Sequence, residues 1–525
     1  MRSDFLGVYS PPGIYTNPIK GPQLAVNSSL PAAVGLVGTT VGYKTFTESI
    51  QINDTDESNP ETYVLTQKGI LTDTIVIRKR ETLVAYLGPT DNGNTTDFTV
   101  ENVSGAPGSA TAVYGIRRNP DSTHIPSDDI IQITYNYTDS AYFKPVTFYD
   151  YRDVTSTYGD PLQWNESTKS VEIVSELSLA AKFAFLNGAY KVVCVAVEPS
   201  GETATSGDYN NAIDLLKDDS AVAVIVPCNG IASADFLKGH ITQQSNSRFE
   251  RRAILGFDGR TAKVPTETRM GAAKSSGSGL DARILMVSPS QFSCYAPEID
   301  KTIVLGGQYM AASLAGMTVA MTFAQPLTHK YPVGWLGLSS EDTLLEGEMT
   351  TETTNGLCVI EYDRRKNIRV RHGVTTDPSD LLSREWSITG QQDALVYRLR
   401  DYLDDANLIG QPIYNYTLVN VKASAEAALQ SLVRDGLLVD YVGLAVRQLL
   451  TNPDVIEISF GWRPAFPLNY IVLTFAVSLT TGSVNVNSGT ANRNNFTSTT
   501  QTTVTAPTAS LANDFGGSGN TLQSF

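Results

Sequence analysis

The chain has 525 residues, a length that divides into about three or four domains rather than one core. Hydrophobic residues make up 41%, and no stretch approaches the roughly 20 apolar residues of a bilayer-crossing helix, so the composition reads as soluble and globular, with no membrane insertion expected. A formal net charge of -15 argues against a protein whose main task is to neutralise nucleic-acid phosphates.

The first element is an extended one. In GVYSPPGIYTN the adjacent Pro11 and Pro12 fix their own φ angles, remove two backbone donors and push Ser10 out of helical space. Val8, Tyr9, Gly13, Ile14 and Tyr15 complete a stiff, sticky strip that has no hairpin partner beside it. No apolar run of signal-peptide length follows Arg2, so a secretory leader is not expected.

LPAAVGLVGTTVG, residues 30–42, then reads as a buried strand. From about residue 43 to 144 the texture turns to Thr, Asn, Asp and Gly around short alternating runs such as DTIVIRKRETLVAYLG and DIIQITYNYTD, which predicts a separate all-β part. Beyond it the period changes. SELSLAAKFAFLNG sets Leu179, Phe183 and Leu186 on one helical face and stops at Asn187 and Gly188, leading into the strand YKVVCVAV.

The helix-and-strand unit recurs: DYNNAIDLLKDD with AVAVIVP, ADFLKGHITQQ with RRAILGF, and TETRMGAAKSS with RILMVS. Helices alternating with short, nearly all-apolar strands predict a parallel sheet covered on both faces. It closes with GGQYMAASLAGMTVAMTFAQ, a helix whose Ala311, Ala315 and Gly316 permit close packing.

Residues 341 onward are mixed. TNGLCVIEYDRRKNIRVRHG reads as a hairpin. TGQQDALVYRLRDYLDDANLIG reads as a helix opened by a Thr389/Gln392 capping box, with Leu395, Leu399, Leu403 and Ala406 as its apolar stripe. SAEAALQSLVRDGLL reads as a second helix, with Ser424 as N-cap, Leu429, Leu432 and Val433 inward, and Gly436 at the stop. Strands DVIEISFGWRP and LNYIVLTFAVSL follow, and the last 40 or so residues are a Thr, Ser, Asn and Gly tail.

The carboxyl ends of the parallel strands are where an α/β enzyme would bind its ligand. None carries G-x-G-x-x-G, G-x-x-x-x-G-K-[ST] or G-x-S-x-G. Asp258 and Arg260, with Cys228, are the best cleft candidates, and the plainer reading is that Asp258 makes a turn. The cysteines Cys194, Cys228, Cys294 and Cys358 have no CxxC spacing and read as buried free thiols, while His124, His240, His329 and His372 are scattered, so neither a catalytic group, a metal nor a cofactor is expected. The basic run RRKNIRVRH, with Arg369 and Arg371 on one strand face, reads as half of a charge-complementary protein contact in preference to a nucleic-acid patch.

Several features in fixed order resemble the contractile tail sheath proteins of myoviruses and related injection systems: the PPGIY arm, AAVGLVGTT, VTSTYGDP, LSLAAKFAFLNGAYKVVCVAV, GGQYMAASLAGM, TTNGLCVIEY and FPLNYIVLTFAVSL. The resemblance covers about residues 8–42 and 150–480, and the β insertion and polar tail suggest a larger, decorated sheath. It implies a multidomain α/β plus β chain: an arm at 1–28, an α/β domain at 29–45 and 148–340, an inserted outer β domain at 46–147, an α+β domain facing an inner tube at 341–481, and a polar extension at 482–525.

It also implies a structural subunit of stacked hexameric rings, a virion component assembled in the host cytoplasm. The implied partners are other copies of itself, the inner tail tube, the baseplate and the tail terminator. Arms would add as strands to neighbouring sheets, and Arg398, Arg400, Asp401, Asp404 and Asp405, with Arg369 and Arg371, would be candidates for tube or subunit contact. The competing readings are an α/β enzyme with a β accessory domain, or another self-assembling virion protein such as a capsid or tube subunit.

Overall fold

A computed structural model describes residues 31–53, 60–79, 97–105, 112–119, 130–138, 140–200, 203–276 and 283–473. The arm residues Val8, Tyr9, Pro11, Pro12, Gly13, Ile14 and Tyr15 lie outside them, as does the whole polar extension at 482–525.

β1 (Ala33–Gly38) is buried along its whole length and is an interior strand of an eight-stranded sheet. The chain leaves that sheet at once. β2 (Lys44–Gln51), β3 (Thr62–Lys68), β4 (Ile70–Lys79), β5 (Phe98–Ser104), β6 (Val113–Arg118) and β7 (Ile130–Tyr137) make two three-stranded sheets, ordered β2-β7-β4 and β3-β6-β5. Their alternating inward residues, among them Leu65, Ile77, Phe98, Ile116, Ile133 and Tyr135, enclose a core separate from that of the main sheet.

β8 (Val146–Phe148) returns to the main sheet as an antiparallel edge, followed by α1 (Tyr151–Tyr158) and a small hairpin of β9 (Leu162–Asn165) and β10 (Ser170–Ile173). The expected repeat then runs through α2 (Glu176–Leu186), β11 (Val192–Ala196), α3 (Ser206–Asp214), β12 (Val222–Pro227), α4 (Ala234–Asn246), β13 (Arg252–Gly256), α5 (Thr266–Ser276) and β14 (Ile284–Ser288). β11, β12, β13 and β14 are all fully buried, as near-continuous apolar strands must be when helices cover both faces.

β15 (Gln291–Ala296) and β16 (Lys301–Gly306) lead to α6 (Gly307–Ala320), which lies on α2. The small residues expected to allow close packing do so: a Cβ on Gly316 would stand 2.3 Å from the carbonyl oxygen of Ala184. Leu186, expected inward, is exposed, because α2 ends there and its last side chain reaches past the covered face.

After β17 (Gly337–Leu338) and α7 (Glu346–Thr354), β18 (Leu357–Tyr362) and β19 (Ile368–Val370) form the expected hairpin. β18 also pairs in parallel with β14, so the hairpin closes the main sheet, whose order is β19-β18-β14-β13-β12-β1-β11-β8. A boundary at residue 340 therefore cuts through that sheet. The long-range register Met286 to Leu357 that joins the two strands leaves no local mark on the sequence.

α8 (Leu381–Arg384) precedes α9 (Trp386–Asp405), and α10 (Asn415–Arg434) packs on α9 through Ala394, Leu395, Leu429 and Leu432. Two capping expectations are corrected. Thr389 sits inside α9, its hydroxyl donating to the Trp386 carbonyl at 2.9 Å, and the N-cap is Glu385. Ser424 is in the middle of α10, which starts about two and a half turns earlier, after Tyr414.

β20 (Leu438–Gln448) and β21 (Ile456–Pro464) form a separate antiparallel hairpin. Only the second of these strands was expected. Residues 468–473, in a second compact unit, form no strand, contrary to the reading of LNYIVLTFAVSL, since an extended segment gains its hydrogen bonds only when another strand lies beside it. Leu468, Ile471 and Leu473 are largely exposed.

Candidate functional site

β12 and β11 flank β1 on opposite sides, so the crevice where an α/β sheet holds a ligand falls at the carboxyl ends of β1 and β12. Side chains fill that position. Glu176, the first residue of α2, accepts from the Thr39 backbone amide at 3.2 Å and from the Tyr209 hydroxyl. Arg260 lies 3.8 Å from the same carboxylate and forks onto Asp258 with two contacts of 2.8 Å.

The Arg260 amide also donates to Asp258 at 3.2 Å, which is the turn the sequence suggested. Burial pushes the Asp258 carboxyl up, but its hydrogen bonds and charge contact with Arg260 outweigh that and leave it below the usual carboxylate value. Burial first, then the Glu176 charge, holds the Cys228 thiol and the phenols of Tyr209 and Tyr309 far above their ordinary values. A thiol kept protonated is a poor nucleophile. The residues nominated for a cleft are thus brought together, but as a packed and paired cluster.

The other cysteines are buried with raised thiols. Among the described residues no group of three or more His, Cys, Asp or Glu is placed to hold a metal ion. His124 lies outside the described residues; His240 approaches Arg251 at 3.3 Å, and His372 approaches Glu385 at 3.0 Å.

The charged residues nominated for contacts divide into two groups. Arg369 and Arg371 both reach Glu361, at 2.7 and 2.8 Å, and Arg371 extends to Glu346 at 2.5 Å. Arg398 is buried against Ser431 and Asp435, and Arg400 pairs with Glu250 at 2.6 Å. These four hold the chain's own elements together. Asp401 is half-buried, whereas Asp404 and Asp405 are exposed at the end of α9.

Two surfaces escaped the sequence reading, and a third opens the basic run RRKNIRVRH that it nominated. The β20–β21 hairpin has an unpaired outer edge on each strand among the described residues, with Val442 63% and Leu450 99% exposed. The α9–α10 connection presents Ile409 at 89% exposure, and the rings of Tyr414 and Tyr416 stack at the start of α10. The turn between β18 and β19 presents Arg364, Arg365 and Lys366. The Val, Tyr and Leu content of LLVDYVGLAVRQLL was the available signal for β20.

No family model matches the chain. It is 37% identical over 589 residues to the tail sheath protein of Mycobacterium phage Bxz1, an alignment that takes in 92% of this chain and 98% of the relative. The chain belongs to the phage tail sheath proteins. The fold of this sheath protein agrees with that of a cryo-EM structure of the anti-feeding prophage helical sheath in its contracted state, at 14% identity and a TM-score of 0.50, over 65% of this chain and 90% of the other. Relatives of the sheath protein are structural proteins, and it is a structural phage protein and not an enzyme.

Proposed function

We propose that this sheath protein polymerises as stacked hexameric rings around an inner tail tube, and that the stack shortens to drive the tube through the host envelope. The observation that carries the reading is the β20–β21 hairpin. It is a two-stranded sheet with two open edges and exposed apolar residues, on a chain whose relative is a tail sheath protein. An isolated edge of this kind is a template for a strand from another chain.

The N-terminal strip supplies such a strand, with Val8, Ile14 and Tyr15 in alternate pockets, and Pro11 and Pro12 limiting further growth. The apolar run that begins at Leu468 supplies another. Main-chain links of this type persist while subunits rotate as rigid bodies. In this scheme the arm at 1–28, the α/β domain with the β18–β19 hairpin that completes its sheet, the outermost β domain at 46–147, the tube-facing part from α9 to β21 and the extension at 482–525 have separate roles. Baseplate and terminator proteins would meet the two ends of the stack, which is assembled in the host cytoplasm and becomes part of the virion.

Negative-stain electron microscopy of the purified chain, beside a version lacking residues 1–20, tests this. Striated hollow cylinders from the full chain that are lost or cut to short rings by the truncation are the expected result. Uniform small particles from both would overturn it.

A further inference from the structure

Most of the nominated charge in the chain is neutralised within it, but two clusters are not. The turn after β18 carries Arg364, Arg365 and Lys366 in succession, all exposed, and none of the three side chains has an intramolecular partner among the described residues. The turn is held in one shape by Asp363, whose carboxylate accepts from the amides of Arg365 and Asn367 at 2.8 Å each. Three like charges side by side repel one another, and an overall net charge of -15 makes this turn an unusual feature of the surface.

The second cluster is Asp404 and Asp405, also exposed and also without a side-chain partner among the described residues. They occupy the last turn of α9, where no basic residue accompanies them. Negative charge at a helix C-terminus opposes the helix dipole, so the fold gains nothing from this placement.

The two clusters lie at opposite ends of the main sheet. β18 runs parallel to β14 with Leu357 level with Met286, so its following turn projects beyond the carboxyl ends of the strands. α9 is fixed to the amino ends: Arg252, at the start of β13, donates to the Trp386 carbonyl, and Glu250, just before β13, pairs with Arg400 further along the helix. Its last turn therefore points away beyond the amino ends. Opposite charges at opposite poles of one subunit make a head-to-tail pair, and a head-to-tail contact between identical subunits propagates into rings or open helices.

We propose that the basic turn Arg364, Arg365, Lys366 of one subunit takes the Asp404, Asp405 helix end of a second copy. The inference rests on the sheath reading and adds a specific contact to it. Charge at such a contact steers assembly and fixes its polarity, and it weakens with salt.

Charge reversal tests it in the full chain. One variant carries Arg364→Glu, Arg365→Glu and Lys366→Glu, and the other carries Asp404→Lys and Asp405→Lys. All five residues are exposed, and circular dichroism checks that each variant is folded. Each alone is expected to lose cylinder formation, and an equimolar mixture is expected to restore it, since alternating copies again set acid against base at every contact. Cylinders from either variant alone at the parent's yield would overturn the contact, and would assign that charged end to another partner such as the inner tube. Loss in both without restoration on mixing would overturn the pairing. If the parent itself forms no cylinders, the sheath reading fails and this contact with it.

Discussion

Arg252 and Asp393 meet inside the protein, Nε to Oδ2 at 3.7 Å, with 3% and 5% of their side chains exposed. Arg283 reaches the same carboxylate, and the Arg252 guanidinium lies 4.3 Å above the Trp386 ring. One carboxylate on α9 thus serves two guanidiniums at the starts of β13 and β14. With Arg400 on Glu250, this fastens α9 to the amino end of the sheet. The sheet and the first half of α9 are built to move as one body.

Removing the carboxylate leaves two buried cations without their counter-charge. Breaking a buried pair from one side costs about 3–5 kcal/mol, more than a surface ion pair contributes. Asp393→Ala is therefore expected to lower unfolding stability by about that amount in urea melts. A loss under about 1 kcal/mol would mean that the cluster is open to water in solution.

His240 gives a pH dependence whose sign follows from its surroundings. Burial, and then the positive charge of Arg251, hold its imidazole down at about 4 against an ordinary value of 6.5. The unfolded chain therefore binds a proton below 6.5 that the folded chain refuses. Stability is full above pH 6.5 and falls as the pH drops toward 4, by up to about 3 kcal/mol from this group alone. Urea melts at pH 7 and pH 4.5 measure the fall, and His240→Gln is expected to reduce it. Equal falls in parent and variant would show that His240 is not the group refusing the proton.

Sequence patterns were readable where a local rule and the packing agree. β11 to β14 stood out because strands buried on both faces must be apolar throughout. The start of α9 did not. Thr389 and Gln392 have the spacing of a capping box, yet the helix begins at Trp386, whose buried ring packs beneath Arg252. The start of α10 was missed in the same way, because Ser424 is a good N-cap residue lying inside a longer helix.

The roles of Arg369 and Arg371 were half-readable. In a hairpin turning at residues 363–367, Glu361 falls directly opposite Arg369, a pairing that the recognised hairpin already contained. Reach across chain distance was not readable at all: nothing near Arg400 in sequence points to Glu250.

The β20–β21 hairpin gives the last prediction. Its register slips between Val442 and Ala445, and Gly443 there has φ of +68°, so the hairpin carries a bulge that bends it. On one side of the bend, Leu438 and Tyr441 pack with the α9–α10 core; on the other, Ala445 to Gln448 run out with Ile456 to Ser459 toward the exposed Leu450. A β-branched residue is costly at this backbone angle, by about 1–2 kcal/mol, while Asn tolerates it. Gly443→Val is therefore expected to leave a folded chain of slightly lower stability whose hairpin straightens, mis-aiming the edges offered to incoming strands. Cylinders should be lost or shortened in Gly443→Val and kept in Gly443→Asn, as read by electron microscopy. Normal cylinders from the Val variant would mean that this bend does not set the direction of strand addition.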